Sequence, residues 1–137
     1  MWRYLRDIIG EKVLDNREIQ KMEPLSKQKC IPCEGNLPPA SEAEIAELKP
    51  QIPDWNIITE NGEKRLQRAY HFDDFQTAMA FSVAVGEEAE KEGHHPVLTT
   101  EWGKVTVTWW THAINGLHRN DFIMATRTDE IYPQFSG

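Results

Sequence analysis

Gly93-His94-His95-Pro96 sets two imidazoles side by side between a glycine and a proline. Imidazole is the side chain best suited to moving protons near neutrality, and it is also the commonest metal ligand. Neighbouring residues cannot share a face on a regular element: on a strand they alternate, and on a helix they diverge by about 100°. Gly93 is placed to stop a helix in the left-handed conformation, and Pro96 biases His95 toward an extended backbone. The pair is therefore expected on a fixed corner between a helix and a strand, where two imidazoles can be aimed into one cleft. Spacing alone leaves three readings open. The pair can end a helix, with imidazoles complementing the C-terminal dipole. It can bind a metal with His112 as third ligand, although neither an HExxH pattern nor a cysteine set accompanies it. Or it can transfer protons.

The two cysteines, Cys30 and Cys33, form a lone Cys-x-x-Cys. A four-ligand zinc site would need two more ligands, no further cysteine exists, and no thioredoxin-like strand precedes the motif. No metal is assigned to it.

The elements that must hold these residues can be read from pattern. In residues 1–22 Trp2, Leu5, Ile9 and Val13 suit an amphipathic helix. The Pro-, Gly- and Lys-rich stretch that follows reads as an irregular linker, so the division expected is an extension over 1–36 and a compact domain over 37–137. Ser41 and Glu44 form a capping box for a short helix that Pro50 closes. Asn61-Gly62 then joins two strands in a tight hairpin, because both turn residues must accept positive φ. A long helix begins after Asp73 or Asp74, with Phe75, Met79, Val83 and Ala89 along its apolar stripe. Two further strands meet at Trp102-Gly103, and a last helix runs from about Arg119 to Tyr132. Hairpin joints predict an α+β fold, a four-stranded antiparallel sheet with helices on one face, in the order α-β-β-α-β-β-α. Trp102, Trp109 and Trp110 are expected in packing, and His71 and His118 in structural or surface roles.

The bulk numbers narrow the partners. The chain has 137 residues, 39% hydrophobic and 27% charged, with a net charge of -7. That charge argues against a nonspecific grip on nucleic acid, and no apolar run is long enough for a bilayer span. The N-terminus lacks the features of a signal or transit peptide, which makes the cytoplasm the expected location.

The spacing Glu90-x3-His94-His95-Pro96-x5-Trp102-x9-His112-x8-Asp121, with Thr111-His112 and Gly116-Leu117 between, resembles the signature of the pterin-4a-carbinolamine dehydratases. The likeness extends upstream through Asp54-Trp55-Asn56, the Asn-Gly hairpin and Phe72-Asp73-Asp74-Phe75, covering roughly residues 37–133.

The resemblance implies dehydration of 4a-hydroxytetrahydropterin to quinonoid dihydropterin, a step in tetrahydropterin recycling that needs neither metal nor redox cofactor. It implies that His94 and His112 serve as acid and base while His95 holds the pterin. Glu90, Pro96, Thr111, Asp121 and Trp55 become supporting or substrate-binding candidates, with Asp121 behind His112 and Trp55 against the pterin ring. It also implies a homodimer or homotetramer. Relatives with the same fold that act as binding modules, in transcription-factor dimerisation or Rubisco assembly, supply the alternative function. Zinc-assisted hydrolysis through the three histidines is a further one.

Overall fold

The computed structural model describes residues 24–31 and 38–136. The helix expected over 1–22, Cys33 and the boundary at Leu37 lie outside the described residues.

Helix α1 (Glu42–Leu48) starts at Ser41, whose hydroxyl accepts the Glu44 N–H at 3.2 Å. That is half of the expected capping box: the Ser41 hydroxyl also turns to the Glu44 carboxylate at 3.5 Å. The helix buries Ile45 and Leu48 and gives way to a 3-10 turn containing Pro50. Strands β1 (Asn56–Glu60) and β2 (Glu63–His71) follow, and the Asn61-Gly62 turn between them has φ of 53° and 77°, as the dipeptide predicts.

Helix α2 (Phe75–Glu92) is capped by Asp74, which accepts the Thr77 N–H at 2.7 Å. It crosses one face of the sheet and leads to β3 (Val97–Glu101), β4 (Lys104–Trp109) and finally α3 (Arg119–Ile131). The four strands form one antiparallel sheet in the order β1-β2-β4-β3. Leu66, Tyr70, Val105, Val107 and Trp109 alternate onto the helix side and are buried. On the opposite side Arg65, Gln67, Ala69 and Thr106 stay partly or fully exposed, so the sheet has one covered face and one open one. The α+β architecture expected from the hairpin and capping signals is the one observed.

The apolar stripe of α2 differs from the expected one. Ala78, Phe81, Ser82, Val85 and Ala89 face the sheet, whereas Phe75, Met79 and Val83 are 47%, 42% and 55% exposed. Two apolar stripes compete on this helix, and the one rich in small residues wins because it lets the axis approach the strands. Ser82 spans the gap with hydrogen bonds to the Ala78 carbonyl (3.0 Å) and the Thr100 hydroxyl (2.7 Å). Trp102, expected in packing, is 73% exposed at the β3–β4 turn.

The stretch expected as a linker is ordered in part. Leu25–Lys27 forms a 3-10 turn on α3, and Leu25 belongs to the hydrophobic core. No helix among the described residues is long and apolar enough to cross a membrane.

Candidate functional site

The helix stop at Gly93 builds the corner. Gly93 adopts φ 62°, ψ 29°; its N–H bonds to the Glu90 carbonyl at 3.3 Å, and the His94 N–H reaches the Ala89 carbonyl at 3.2 Å. This paired pattern satisfies the last carbonyls of α2 and fixes the backbone of His94 before any side-chain contact is made.

His94 is then held by its ring. The imidazole lies nearly parallel to the Trp109 indole, with centroids 5.6 Å apart and planes 9° from coplanar. Trp109 is itself pinned, its indole N–H donating to Thr128 Oγ1 at 3.2 Å. At the ring edge, His94 Nε2 sits 2.6 Å from Asp121 Oδ1. Asp121 is fully buried, and its other oxygen accepts the Thr111 hydroxyl and the His118 backbone N–H, both at 2.9 Å. A carboxylate accepting at both oxygens assigns the His94 proton to Nε2.

His112 comes from a different element. β4 ends at Trp109, Thr111 bridges to Gly116, and His112 opens a 3-10 turn that closes at Asn115 in the left-handed region. Its ring leans on Trp110 at 4.3 Å between centroids, and the Arg65 guanidinium lies over the same indole at 3.9 Å. His95 stands at the exposed rim, with Nε2 3.4 Å from Glu90 Oε1. His94, His95 and His112 all line one open cavity of about 470 Å³, together with Gly93, Thr111, Ala113, Asn120 and Glu92. Two residues from before the first helix, Cys30 and Ile31, complete its wall.

The other expected site residues divide. Thr111 lines the cavity and Asp121 stands directly behind it, but the partner of Asp121 is His94 rather than His112. The first turn of α3 lies against the α2–β3 corner, which turns the carboxylate toward the first histidine of the pair. Glu90 is exposed outside the cavity and meets His95 only at long range. Pro96 is half-buried and leads from His95 into β3. Trp55 is not at the site: it is 1% exposed in the core, with its indole N–H on Asp129 at 3.0 Å. His118 is structural, its Nδ1 accepting the Asn120 N–H at 3.0 Å at the start of α3. Burial pushes its pKa down, with attraction from Asp121 opposing and repulsion from His94 adding. His71 is exposed at the end of β2. Among the described residues no group of three or more His, Cys, Asp or Glu is arranged to hold a metal ion.

Glu92, Asn120 and Ile31 were not marked by the sequence. Asn120 is adjacent to a marked residue, and the Cys-x-x-Cys motif flags the segment of Ile31, but neither signal says which cavity they face.

Comparison with known proteins gives a consistent answer. The sequence pattern described as "Pterin 4 alpha carbinolamine dehydratase" matches residues 38–131. Two proteins named "Putative pterin-4-alpha-carbinolamine dehydratase" are similar over 113 residues: one from Microcystis aeruginosa at 58% identity, covering 82% of this chain and 97% of that one, and one from Chlorobium luteolum at 55%, covering 82% and 99%. A match of that length in 137 residues begins no later than Leu25, upstream of the family region. Among solved structures, a "transcriptional coactivator/pterin dehydratase" from Brucella melitensis superposes with a TM-score of 0.62 at 31% identity, covering 69% of this chain and 98% of that one. A "pterin dehydratase-like protein" described as a RuBisCO assembly factor in the alpha-carboxysome gives 0.50 at 19% identity, covering 61% and 93%, a likeness of fold alone.

Proposed function

Since this chain belongs to the pterin 4 alpha carbinolamine dehydratase family, we propose that it removes water from a 4a-hydroxytetrahydropterin by histidine acid/base catalysis, giving the quinonoid dihydropterin and supporting tetrahydropterin recycling. The observation that carries this reading is the single cavity of about 470 Å³ lined by His94, His95 and His112. A flat bicyclic ring suits a space of that size.

The reaction breaks the C4a–O bond and removes the proton on N5. The N5 lone pair forms the C4a=N5 bond, and the oxygen accepts a proton and leaves as water. Atoms and electrons balance with one acid and one base. Asp121 occupies Nε2 of His94, so Nδ1 is the ring atom left to exchange a proton. We assign His94 as acceptor of the N5 proton and His112 as donor to the departing oxygen. His95, steadied by Glu90 and by the backbone restriction of Pro96, orients the pterin. Thr111 and Asp121 act through His94 and are positioning residues.

Stopped-flow dehydration of the carbinolamine tests the assignment. His94→Ala and His112→Ala should each slow turnover by on the order of 10²–10⁴-fold while the circular dichroism spectrum is retained. Wild-type rates in both variants would remove the enzyme reading and leave the binding-module alternative.

We also propose self-association as a homodimer or homotetramer. Phe75, Met79 and Val83 stand four residues apart along one exposed face of α2, and β1 and β3 are open sheet edges. Sedimentation should give an oligomer for the wild type and a smaller species for Val83→Glu; a wild-type monomer would overturn the proposal.

A further inference from the structure

Residues Pro24–Ile31 lie outside the region the family pattern matches, yet two of them line the histidine cavity. They are held there by α3. Leu25 is 1% exposed in the core, and Gln28, 2% exposed, receives the Arg119 Nε–H at 2.8 Å and, on its carbonyl, the Arg127 guanidinium. The Asn120 side chain pairs with both backbone groups of Ile31, its Oδ1 accepting the N–H at 3.0 Å and its Nδ2 donating to the carbonyl at 2.7 Å. The amide thus treats Ile31 as a neighbouring strand would. With its backbone fixed on both sides, Ile31 still presents a side chain that is 48% exposed, at the edge of a cavity otherwise rich in imidazole. An anchored, solvent-facing isoleucine beside such a cavity is a surface that gains by being covered.

We propose that this strap is a substrate-binding wall, with Ile31 packing on the flat heterocycle and Cys30 lying beside it, so that it sets affinity without taking part in proton transfer. The proposal rests on the pterin reading of the site. Asn120 becomes a positioning residue for the strap, one residue before Asp121, which does the same for His94.

The test uses the full chain, as wild type, Ile31→Asp and Ile31→Val. Binding is measured by fluorescence with a stable 7,8-dihydropterin, and turnover by stopped-flow dehydration. Ile31→Asp should weaken binding and raise KM by about tenfold or more with kcat within about twofold, and Ile31→Val should restore both to near wild type. In wild-type protein under reducing conditions, saturating dihydropterin should slow iodoacetamide alkylation of Cys30, read by peptide mass spectrometry, by about fivefold or more. Unchanged affinity in Ile31→Asp with Cys30 unprotected overturns the strap as a binding wall while pterin binding stands. A wild-type chain that binds no dihydropterin overturns the pterin reading and this proposal with it.

Discussion

Helix α3 carries two aspartates, each at the centre of a hydrogen-bond cluster, and the clusters differ in what they can do. Asp121, in the first turn, receives the His94 imidazole, the Thr111 hydroxyl and the His118 N–H. Asp129, near the other end, receives the Trp55 indole N–H at 3.0 Å, the Arg68 guanidinium at 2.6 Å and the Tyr70 hydroxyl. The partners of Asp129 hold their protons. Burial first, then the charge of Asp129, pushes the Tyr70 pKa far above its ordinary 10.0, and a guanidinium stays protonated at any working pH. That cluster ties β2 and the Trp55 segment to α3 and does nothing else. The Asp121 cluster contains an imidazole beside a cavity. Burial does not separate the two, since the more deeply buried carboxylate is the one serving the cavity. What separates them is whether the partner can exchange a proton, and whether anything can reach it.

The contrast can be broken by matched substitutions. Asp121→Asn should cut the dehydration rate by on the order of 10²-fold, because it releases the tautomer and orientation of His94. Asp129→Asn should leave the rate within a few-fold but lower unfolding stability by about 2–4 kcal/mol, since a partly buried guanidinium loses its counter-charge. Stopped-flow rates and urea midpoints on both variants check the pair; a large rate loss in Asp129→Asn would erase the distinction. Tyr70→Phe should cost about 1–3 kcal/mol in urea unfolding without altering kcat.

The smallest expected effect concerns His118. Its folded pKa lies below the ordinary 6.5, so the unfolded chain binds the proton more readily. Its contribution to stability is then fully present above about pH 6.5 and is lost as the pH falls below it. His118→Ser keeps a capping oxygen and should flatten the acid limb of the urea midpoint between pH 7 and 5 relative to wild type. Parallel limbs would show that His118 is not what the acid limb reports.

Features decided within a few residues were legible in the sequence. The Asn61-Gly62 hairpin, the Asp74 cap and the left-handed Gly93 each follow from local backbone demands, and all are present. The corner that Gly93 and Pro96 predict is where His94 and His95 stand. Features decided by packing were not legible. Both stripes of α2 satisfy helical periodicity, and only the closeness of the sheet selects the one with Ala78, Ser82 and Ala89. Trp55 offers a flat ring that suits a pterin, but its N–H finds Asp129 in the core instead. Asp121 could have served either histidine, and the docking angle of α3 gave it to His94. The strap carries almost no periodic signal, because a few bonds from Arg119, Asn120 and Arg127 hold it in place of an apolar face.

Asn120 and Asp121 are consecutive, and they reach in two directions, one to Ile31 and the other to His94. Opposite sides of the opening are therefore hung from a single peptide unit. If the sheet breathes or α2 drifts, both sides travel with that hinge pin, and the gap between them keeps its width. The aperture of the cavity is governed by one turn of α3, so loosening that turn would blur the fit for every ligand at once.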